Sequence, residues 1–110
     1  MERFVKGDVI VVPYPAFDLK SLKKRPAIIL AISSVGAIVC PVTSKNLSRA
    51  PLIPIKSSDF SSGSIKTDSF ALPLWLSTFK FSHILYKAGH LKDNKFREIL
   101  DKVCSCLKEN

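Results

Sequence analysis

The fold of this chain is decided by Gly7-Asp8-Val9-Ile10-Val11-Val12-Pro13-Tyr14-Pro15, a run in which valine and isoleucine dominate. Such composition predicts a strand over residues 8–14, whose two prolines confine its end to a sheet edge or an exit. Two further apolar runs, 26–32 and 37–43, are joined by a four-residue link and predict a hairpin. Because both runs are continuously apolar, both faces of this hairpin are expected to be covered, as in a small barrel.

The remaining sequence predicts shorter elements. Leu52–Ile55 contains a proline and predicts an edge or bulged strand, and residues 57–64 are serine-rich and predict a loop. Residues 64–68 predict a further strand with Ile65 and Thr67 on one face, and residues 82–91 predict the last strand or its turn. The aromatic segment 70–81 is compatible with a helical turn or a strand edge.

One helix is expected, over residues 93–107, with Asp93 as its N-cap. Its apolar stripe follows spacings of three and four and comprises Phe96, Ile99, Leu100, Val103 and Leu107. Five to seven short strands and a closing helix predict a mainly β fold, a β-barrel with helical additions, in a single domain over residues 1–110.

The charge of the chain favours a polyanionic partner. Seventeen Lys and Arg stand against nine Asp and Glu, which gives a net charge of +8. Residues 1–50 contribute +5 of this charge and residues 51–110 contribute +3. An excess of this size promotes binding to nucleic acid through counterion release, although a basic surface that serves only solubility is an alternative.

Three cysteines, an odd number, argue against a disulfide framework and for a reducing, cytoplasmic compartment. Cys40 is expected to be a buried apolar residue, and Cys104 and Cys106 to point to different faces of the helix. Together with His83 and His90 they match no zinc spacing, so we expect neither a metal nor a cofactor. We also expect no signal peptide and no membrane span, because charged residues and Pro41 interrupt the apolar runs.

Two strand ends bring together side chains suited to a phosphodiester. Arg25 enters the second predicted strand, and Thr43 ends the third. A guanidinium offers fixed positive charge and paired donors, and a hydroxyl adds a directional donor for a phosphate oxygen. The alternatives are a surface arginine that pairs with Asp18 and a threonine with an ordinary strand role.

Five short motifs resemble the MazF/PemK family of toxin endoribonucleases. In chain order they are Gly-Asp-Val-Ile-Val-Val-Pro at 7–13, Lys-Lys-Arg-Pro-Ala at 23–27, Cys-Pro-Val-Thr-Ser-Lys at 40–45, Ser-Ile-Lys-Thr-Asp at 64–68 and Ala-Gly-His-Leu at 88–91. Each motif alone is weak, but their order over residues 6–107 is specific. The resemblance implies an SH3-like, plus-fold barrel of the MazF–CcdB type with a C-terminal helix, working as a homodimer.

The same resemblance implies metal-independent cleavage of single-stranded RNA to 2′,3′-cyclic phosphate and 5′-hydroxyl ends. It also implies a small acidic antitoxin whose disordered tail occupies the RNA groove. Arg25 and Thr43 match the two family positions that carry most of the chemistry. An arginine–aspartate pair of the PemK-like branch falls on Lys66 and Asp68, so a point charge replaces a guanidinium. The histidine which that branch places in the first loop is absent between Ala16 and Leu22.

On this reading Asp68 accepts the 2′-hydroxyl proton or orients Arg25, and Lys66 protonates the leaving 5′-oxygen. Candidates for contact with phosphates along the RNA backbone are Lys20, Lys23, Lys24, Ser44 and Lys45. Tyr14 and Phe17 flank the basic loop and are candidates for stacking on bases, with core packing as the alternative. The segment Leu72–Ser82 is longer than the family pattern and is expected to alter base preference or the dimer surface.

Two other functions remain open. A barrel of the same fold could bind a protein target, as CcdB toxins bind a topoisomerase, or bind nucleic acid without cutting it. A small basic RNA-binding module is the other alternative, and it would need exposed aromatic residues on a sheet face.

Overall fold

The computed structural model describes residues 3–15, 21–47 and 50–109. Within these ranges the chain forms a mainly β structure with one C-terminal helix. The strands are β1 (Asp8–Pro15), β2 (Leu22–Ile32), β3 (Gly36–Thr43), β4 (Ile53–Ile55), β5 (Phe60–Gly63), β6 (Ser69–Ala71), β7 (Ser77–Lys80) and β8 (Tyr86–Leu91), followed by helix α1 (Asp93–Glu109). Single 3₁₀ turns occupy Ser57–Asp59 and Phe81–His83.

The strands form one curled antiparallel sheet, a half-barrel. Its order is β4-β6-β3-β2-β1-β8-β5, and β7 pairs with β3 off this path. The long strands β1, β2 and β3 form the centre, and their ladders run Val9↔Ile28 to Pro15↔Leu22 and Ala27↔Pro41 to Ile32↔Ala37. The expected fold class and the hairpin between β2 and β3 are therefore confirmed.

Both faces of the central strands are covered, as the continuous apolar runs predict. One face carries the larger core, into which α1 inserts Ile99 and Val103 against Val9, Ile28 and other buried strand residues. The opposite face carries Ile10, Val12, Ala27, Ile29, Ala37 and Val39, and is covered by Phe4, Tyr14, Phe79, Phe81 and Ile84. Alternate residues along each strand thus enter different cores.

Pro13, Pro15 and Pro54 lie where the sheet leaves a strand with one neighbour. β1 pairs with β8 only from Asp8 to Val11, whereas its pairing with β2 continues to Pro15. Pro13 and Pro15 therefore need no amide hydrogen on the side facing away from β2. Pro54 lies in β4, at the end of the sheet. Both placements confirm the expectation for these residues.

Two local predictions between residues 57 and 68 were wrong. The predicted loop 57–64 contains the 3₁₀ turn and β5, and the predicted strand 64–68 has no regular structure. β5 forms because its backbone pairs with β8, where Gly63 lies against Gly89. A Cβ at Gly63, whose φ is +66°, would collide with the Ala88 carbonyl. This pairing is possible because the two glycines have no side chains and because β8, which is distant in the sequence, lies beside β5. The serine-rich composition therefore did not reveal it.

The segment 70–81, which the sequence left open, contains no α-helix. β6 ends at Ala71, a turn passes Pro73 and Leu74, and β7 then pairs with β3 from Gly36↔Lys80 to Val39↔Ser77. Phe79 and Phe81 pack against the second core. The segment Leu72–Ser82 therefore extends the sheet and covers one of its faces.

Helix α1 extends two residues further than predicted, to Glu109, and includes Asp93 as its first residue. Ile99, Val103 and Cys106 are buried, but Leu107 is exposed. Lys95 is also buried, where its Nζ lies 3.6 Å from Asp59 Oδ2 and 3.3 Å from Glu98 Oε1. The stripe predicted from spacing is therefore confirmed in its centre and fails at its C-terminal end.

A buried carboxylate joins three parts of the chain. The Asp8 side chain is 2% exposed, with Oδ1 2.7 Å from His90 Nδ1 and Oδ2 3.3 Å from Lys87 Nζ. The Val5 N–H also donates to Asp8 Oδ2 at 2.8 Å. Lys87 and His90 both reach it because the β1–β8 register shifts between Val9 and Ile10, which leaves one extra residue in β8 as a bulge.

Cys40 is fully buried in β3, as expected, and its Sγ–H donates to the Leu72 carbonyl at 3.4 Å. Burial raises the pKa of the Cys40 thiol to about 12. The folded protein therefore keeps this group as a neutral thiol at pH values where the unfolded chain ionises it.

We expect the contribution of Cys40 to the free energy of unfolding to fall as the pH rises from about 9 toward 12. Its pKa is higher in the folded state, so its stabilising effect is complete below the unfolded pKa near 9 and is lost above it. The loss should reach about 1 kcal/mol at pH 10. Urea unfolding at pH 8 and pH 10 should show a smaller pH dependence for Cys40→Ala than for the wild type, and an unchanged one for the exposed control Cys104→Ser. An equal pH dependence in all three proteins would contradict this account.

Candidate functional site

A groove of about 500 Å³ opens where the central strands end beside the irregular segment that precedes β6. β1, β2, β3 and β8 all contribute to its lining. The lining residues are Val11, Lys23, Lys24, Arg25, Pro26, Val42, Thr43, Ser44, Lys45, Ser64, Ile65, Lys66, Thr67, Ser69, Tyr86 and Ala88. All five sequence motifs therefore meet at one place: those at 23–27, 40–45 and 64–68 contribute several residues each, and those at 7–13 and 88–91 contribute Val11 and Ala88.

The floor of the groove is one row across four neighbouring strands. Val11 pairs with Tyr86 on one side and with Pro26 on the other. Pro26 and Val42 adjoin the last β2–β3 pair, Ala27↔Pro41, and both line the groove. Side chains in register share a face of the sheet, so this row forms an apolar surface that ends in an aromatic ring.

Arg25 and Thr43 lie just beyond the end of the β2–β3 ladder. Its last pair is Ala27↔Pro41, so Arg25 precedes that pair by two residues and Thr43 follows it by two, and both residues line the groove. Because alternate residues of a strand share a face, Arg25 lies on the same face of β2 as Ala27, and the floor residue Pro26 lies on the other face. The Arg25 side chain therefore reaches the groove at its rim and not at its floor. Thr43 is 4% exposed, and its Oγ1 accepts a hydrogen bond from the Lys45 N–H at 3.2 Å. The Thr43 hydroxyl accepts this bond through an oxygen lone pair, and it also has one hydrogen that it can donate to a ligand.

The charged side chains among the described lining residues of the groove are all positive. Lys23, Lys24, Lys45 and Lys66 are exposed at its walls, beside the half-buried Arg25. No carboxylate is among the described residues that line it. Fixed cations around a concave surface focus a positive potential there, so the groove suits an anionic chain.

Not every predicted site residue lies in the groove. Asp68 is exposed and lies outside the lining, although Thr67 and Ser69 on either side belong to it. Tyr14 packs against Phe79 with ring centroids 5.5 Å apart, and its hydroxyl donates to the Trp75 carbonyl at 2.6 Å. Burial raises its pKa, which is opposed by a hydrogen bond with Ser77. The structure thus gives Tyr14 a packing position, and Phe17 and Lys20 lie outside the described residues.

The sequence did not reveal that Tyr86, Ser64, Ile65, Thr67 and Ser69 line the groove. Tyr86 lies at the start of a strand whose position depends on a bulge, and no local pattern marks it. Ser64–Thr67 line the groove on consecutive positions because the segment is not a strand, so the expected alternation of faces does not apply. The lysine at 66 was recognised only through its motif.

No other cavity found among the described residues contains the predicted site residues, and no cluster of their side chains forms a set of metal ligands. A larger cavity of about 820 Å³ lies near Phe4, Val5, Ile32, Phe81 and Ile84 and contains none of the predicted site residues. No group of three or more His, Cys, Asp or Glu side chains in the described ranges is placed to hold a metal ion. No helix in those ranges is long and apolar enough to cross a membrane.

Comparisons with known proteins place this architecture. The fold is similar to that of the Mycobacterium tuberculosis toxin MazF-mt6, with a TM-score of 0.63 and 16% sequence identity. The match covers 89% of this chain and 96% of the toxin. No curated protein sequence matches the chain.

The family model for the PemK-like, MazF-like toxin of type II toxin–antitoxin systems matches residues 5–107. That span includes all five motifs and every described residue that lines the groove. Toxins of this type are endoribonucleases that have an antitoxin partner and typically form dimers. The chain belongs to the PemK-like, MazF-like toxins of type II toxin–antitoxin systems.

Proposed function

We propose that this toxin cleaves single-stranded RNA in the groove by attack of the RNA's own 2′-hydroxyl, without a metal ion. The observation that carries the proposal is the meeting of Arg25, Thr43 and four lysines around one concave surface, with no carboxylate among its described lining residues. A phosphodiester chain presents the complementary charge along its whole length.

The reaction requires little covalent chemistry from the protein. The 2′-oxygen forms a bond to phosphorus and loses its proton to a base, and the bond from phosphorus to the 5′-oxygen breaks as that oxygen gains a proton. The products are a 2′,3′-cyclic phosphate and a 5′-hydroxyl. The protein needs to align the attack and stabilise the charge that builds on the non-bridging oxygens.

Arg25 and Thr43 are suited to that stabilisation. The guanidinium offers paired donors to two non-bridging oxygens at the rim of the groove. Thr43 is held by its bond from the Lys45 N–H and donates its hydroxyl hydrogen to the same phosphate. Donors oriented before the reaction lower its barrier because they need not reorganise as charge develops.

We assign the proton transfers to residues 66 and 68. Lys66 lines the groove and protonates the leaving 5′-oxygen. Asp68 lies just outside the lining and accepts the 2′-hydroxyl proton, or orients Arg25, as the strand of RNA closes over it. Lys23, Lys24, Ser44 and Lys45 hold phosphates next to the cut.

The partners follow from the family and from charge. We propose that a small acidic antitoxin neutralises the toxin by occupying this groove, and that the toxin acts as a homodimer. An acidic segment would compete with RNA for the same lysines, because both are polyanions.

Arg25→Ala should reduce cleavage of a mixed single-stranded RNA pool by at least about 100-fold, since it removes the main charge contact of the transition state. Thr43→Val should lose activity as well, and Thr43→Ser should retain it through the shared hydroxyl. The assay sequences 5′-hydroxyl ends after incubation in EDTA, and circular dichroism checks the fold.

The matched control is Arg97→Ala, which removes an exposed arginine of α1 and should cleave as the wild type does. Wild-type protein that leaves the pool intact with EDTA and with Mg²⁺ would contradict the proposal. Toxicity that persists in an Arg25→Ala/Thr43→Ala double variant would instead support a non-catalytic barrel.

Phosphate contacts in the groove should appear in the salt dependence of binding. For a single-stranded oligonucleotide, the slope of log affinity against log salt changes by about 0.7 for each phosphate contact. Lys24→Gln and Lys45→Gln should each make the slope shallower by about that amount, whereas Lys102→Gln, on the exposed face of α1, should leave it unchanged. Fluorescence anisotropy at several salt concentrations measures the slopes, and three equal slopes would contradict a role for these lysines.

The antitoxin proposal predicts that a short acidic protein encoded beside this gene restores growth when it is expressed with the toxin. It should co-purify with the Arg25→Ala variant and displace a labelled oligonucleotide from it. Growth that is not restored by any neighbouring acidic reading frame would contradict the proposal.

A further inference from the structure

Tyr86 presents an aromatic ring to the groove. Two Phe, Tyr or Trp side chains are exposed among the described residues, Trp75 at 45% and Tyr86 at 53%, and of these Tyr86 lines the groove. Its hydroxyl has no hydrogen-bond partner among those residues. Tyr14, in contrast, uses both its ring and its hydroxyl inside the fold.

The backbone of β8 aims this ring. Tyr86 and Ala88 face the groove, whereas Lys87 turns to the other side and reaches Asp8. The bulge between the Val9 and Ile10 pairs sets this alternation, and the bonds from Lys87 and His90 to the buried Asp8 hold the bulge in place. Bulges often redirect side chains next to functional sites.

The distance from Tyr86 to the phosphate site suits a nucleotide. Tyr86, Val11 and Pro26 lie in one row on neighbouring strands, so the backbones at Tyr86 and Pro26 are about 10 Å apart. Arg25 adjoins Pro26 in the chain. A nucleotide whose phosphate lies at Arg25 therefore has room to extend a base, or its neighbour's base, over the apolar floor toward the ring.

We propose that Tyr86 is the stacking platform for one unpaired base of the bound strand, and thus a residue that sets which bases are accepted near the cut. The inference rests on the proposed function, because it names a base-binding part of the same groove. An apolar floor with cations along its walls and an aromatic ring at its end is the combination that binds single strands through phosphates and base faces together.

Stacking on a base uses the aromatic ring and not the hydroxyl. Tyr86→Phe should therefore keep the platform, and Tyr86→Ala should remove it. The probe is a set of fluorescein-labelled 2′-O-methyl oligoribonucleotides of mixed sequence, which keep phosphates and bases but lack the attacking hydroxyl. Anisotropy should show Tyr86→Ala binding about 5- to 150-fold more weakly than the wild type. Tyr86→Phe should bind within about twofold of it.

The matched control is Leu85→Ala, which shortens an exposed neighbour that does not line the groove and should bind as the wild type does. A second set of oligonucleotides carries one abasic residue at each position in turn. Wild-type protein should lose affinity at one position, and Tyr86→Ala should show no further loss there, because the two changes remove the same contact.

Cleavage separates this inference from the function on which it rests. Tyr86→Ala should change the base preference at one position in the pool of sequenced 5′-hydroxyl ends, whereas Arg25→Ala should remove all ends. Wild-type protein that binds the oligonucleotides with these effects but does not cleave RNA would overturn the proposed function and leave the platform standing.

Three results would overturn the platform itself. The first is that Tyr86→Ala binds within about twofold of the wild type, and the second is that Tyr86→Phe loses as much affinity as Tyr86→Ala does. The third is that an abasic residue lowers the affinity of the wild type and of Tyr86→Ala equally at every position. Wild-type protein that binds none of the oligonucleotides would overturn both proposals.

Discussion

The register of the β1–β2–β3 ladder is the constraint on which the rest of this structure depends. Both faces of these strands are buried, one under α1 and the larger core, the other under Phe79, Phe81 and their neighbours. A slip of one residue would exchange the two sets of side chains between cores of different shape, so the register is strongly specified. That register brings Arg25 and Thr43 to the same end of the β2–β3 ladder, where both line the groove beside its apolar floor.

A second constraint acts at the other end of β1. Asp8 is buried and therefore needs partners, which it finds in His90, Lys87 and the Val5 amide. These bonds tie the chain before β1 to the last strand and secure the bulge that sends Tyr86 toward the groove. Asp8 and His90, which belong to the Gly-Asp and Ala-Gly-His motifs and do not line the groove, therefore act on the site by positioning β8.

The parts of the site that could be predicted were those written in short, local patterns. Arg25 directly precedes one strongly apolar run and Thr43 ends another, and the motif at 64–68 identified Lys66. Residues whose position depends on distant pairing were not predictable: β5 forms against β8 across Gly63 and Gly89, and Tyr86 reaches the groove through a bulge. For Tyr14 the sequence left base stacking and core packing open, and only the tertiary structure shows that its ring packs against Phe79.

The sequence by itself determined the mainly β class, the three central strands, the closing helix and the excess of positive charge, because each depends on composition or on periodicity within a few residues. Only the tertiary structure decided which cations face one groove, that no described lining residue is a carboxylate, and which aromatic ring faces it. These features depend on strand order and register, which join residues up to 82 positions apart, as in the pair Asp8↔His90. No local pattern encodes such contacts, because they exist only once both faces of the sheet are packed.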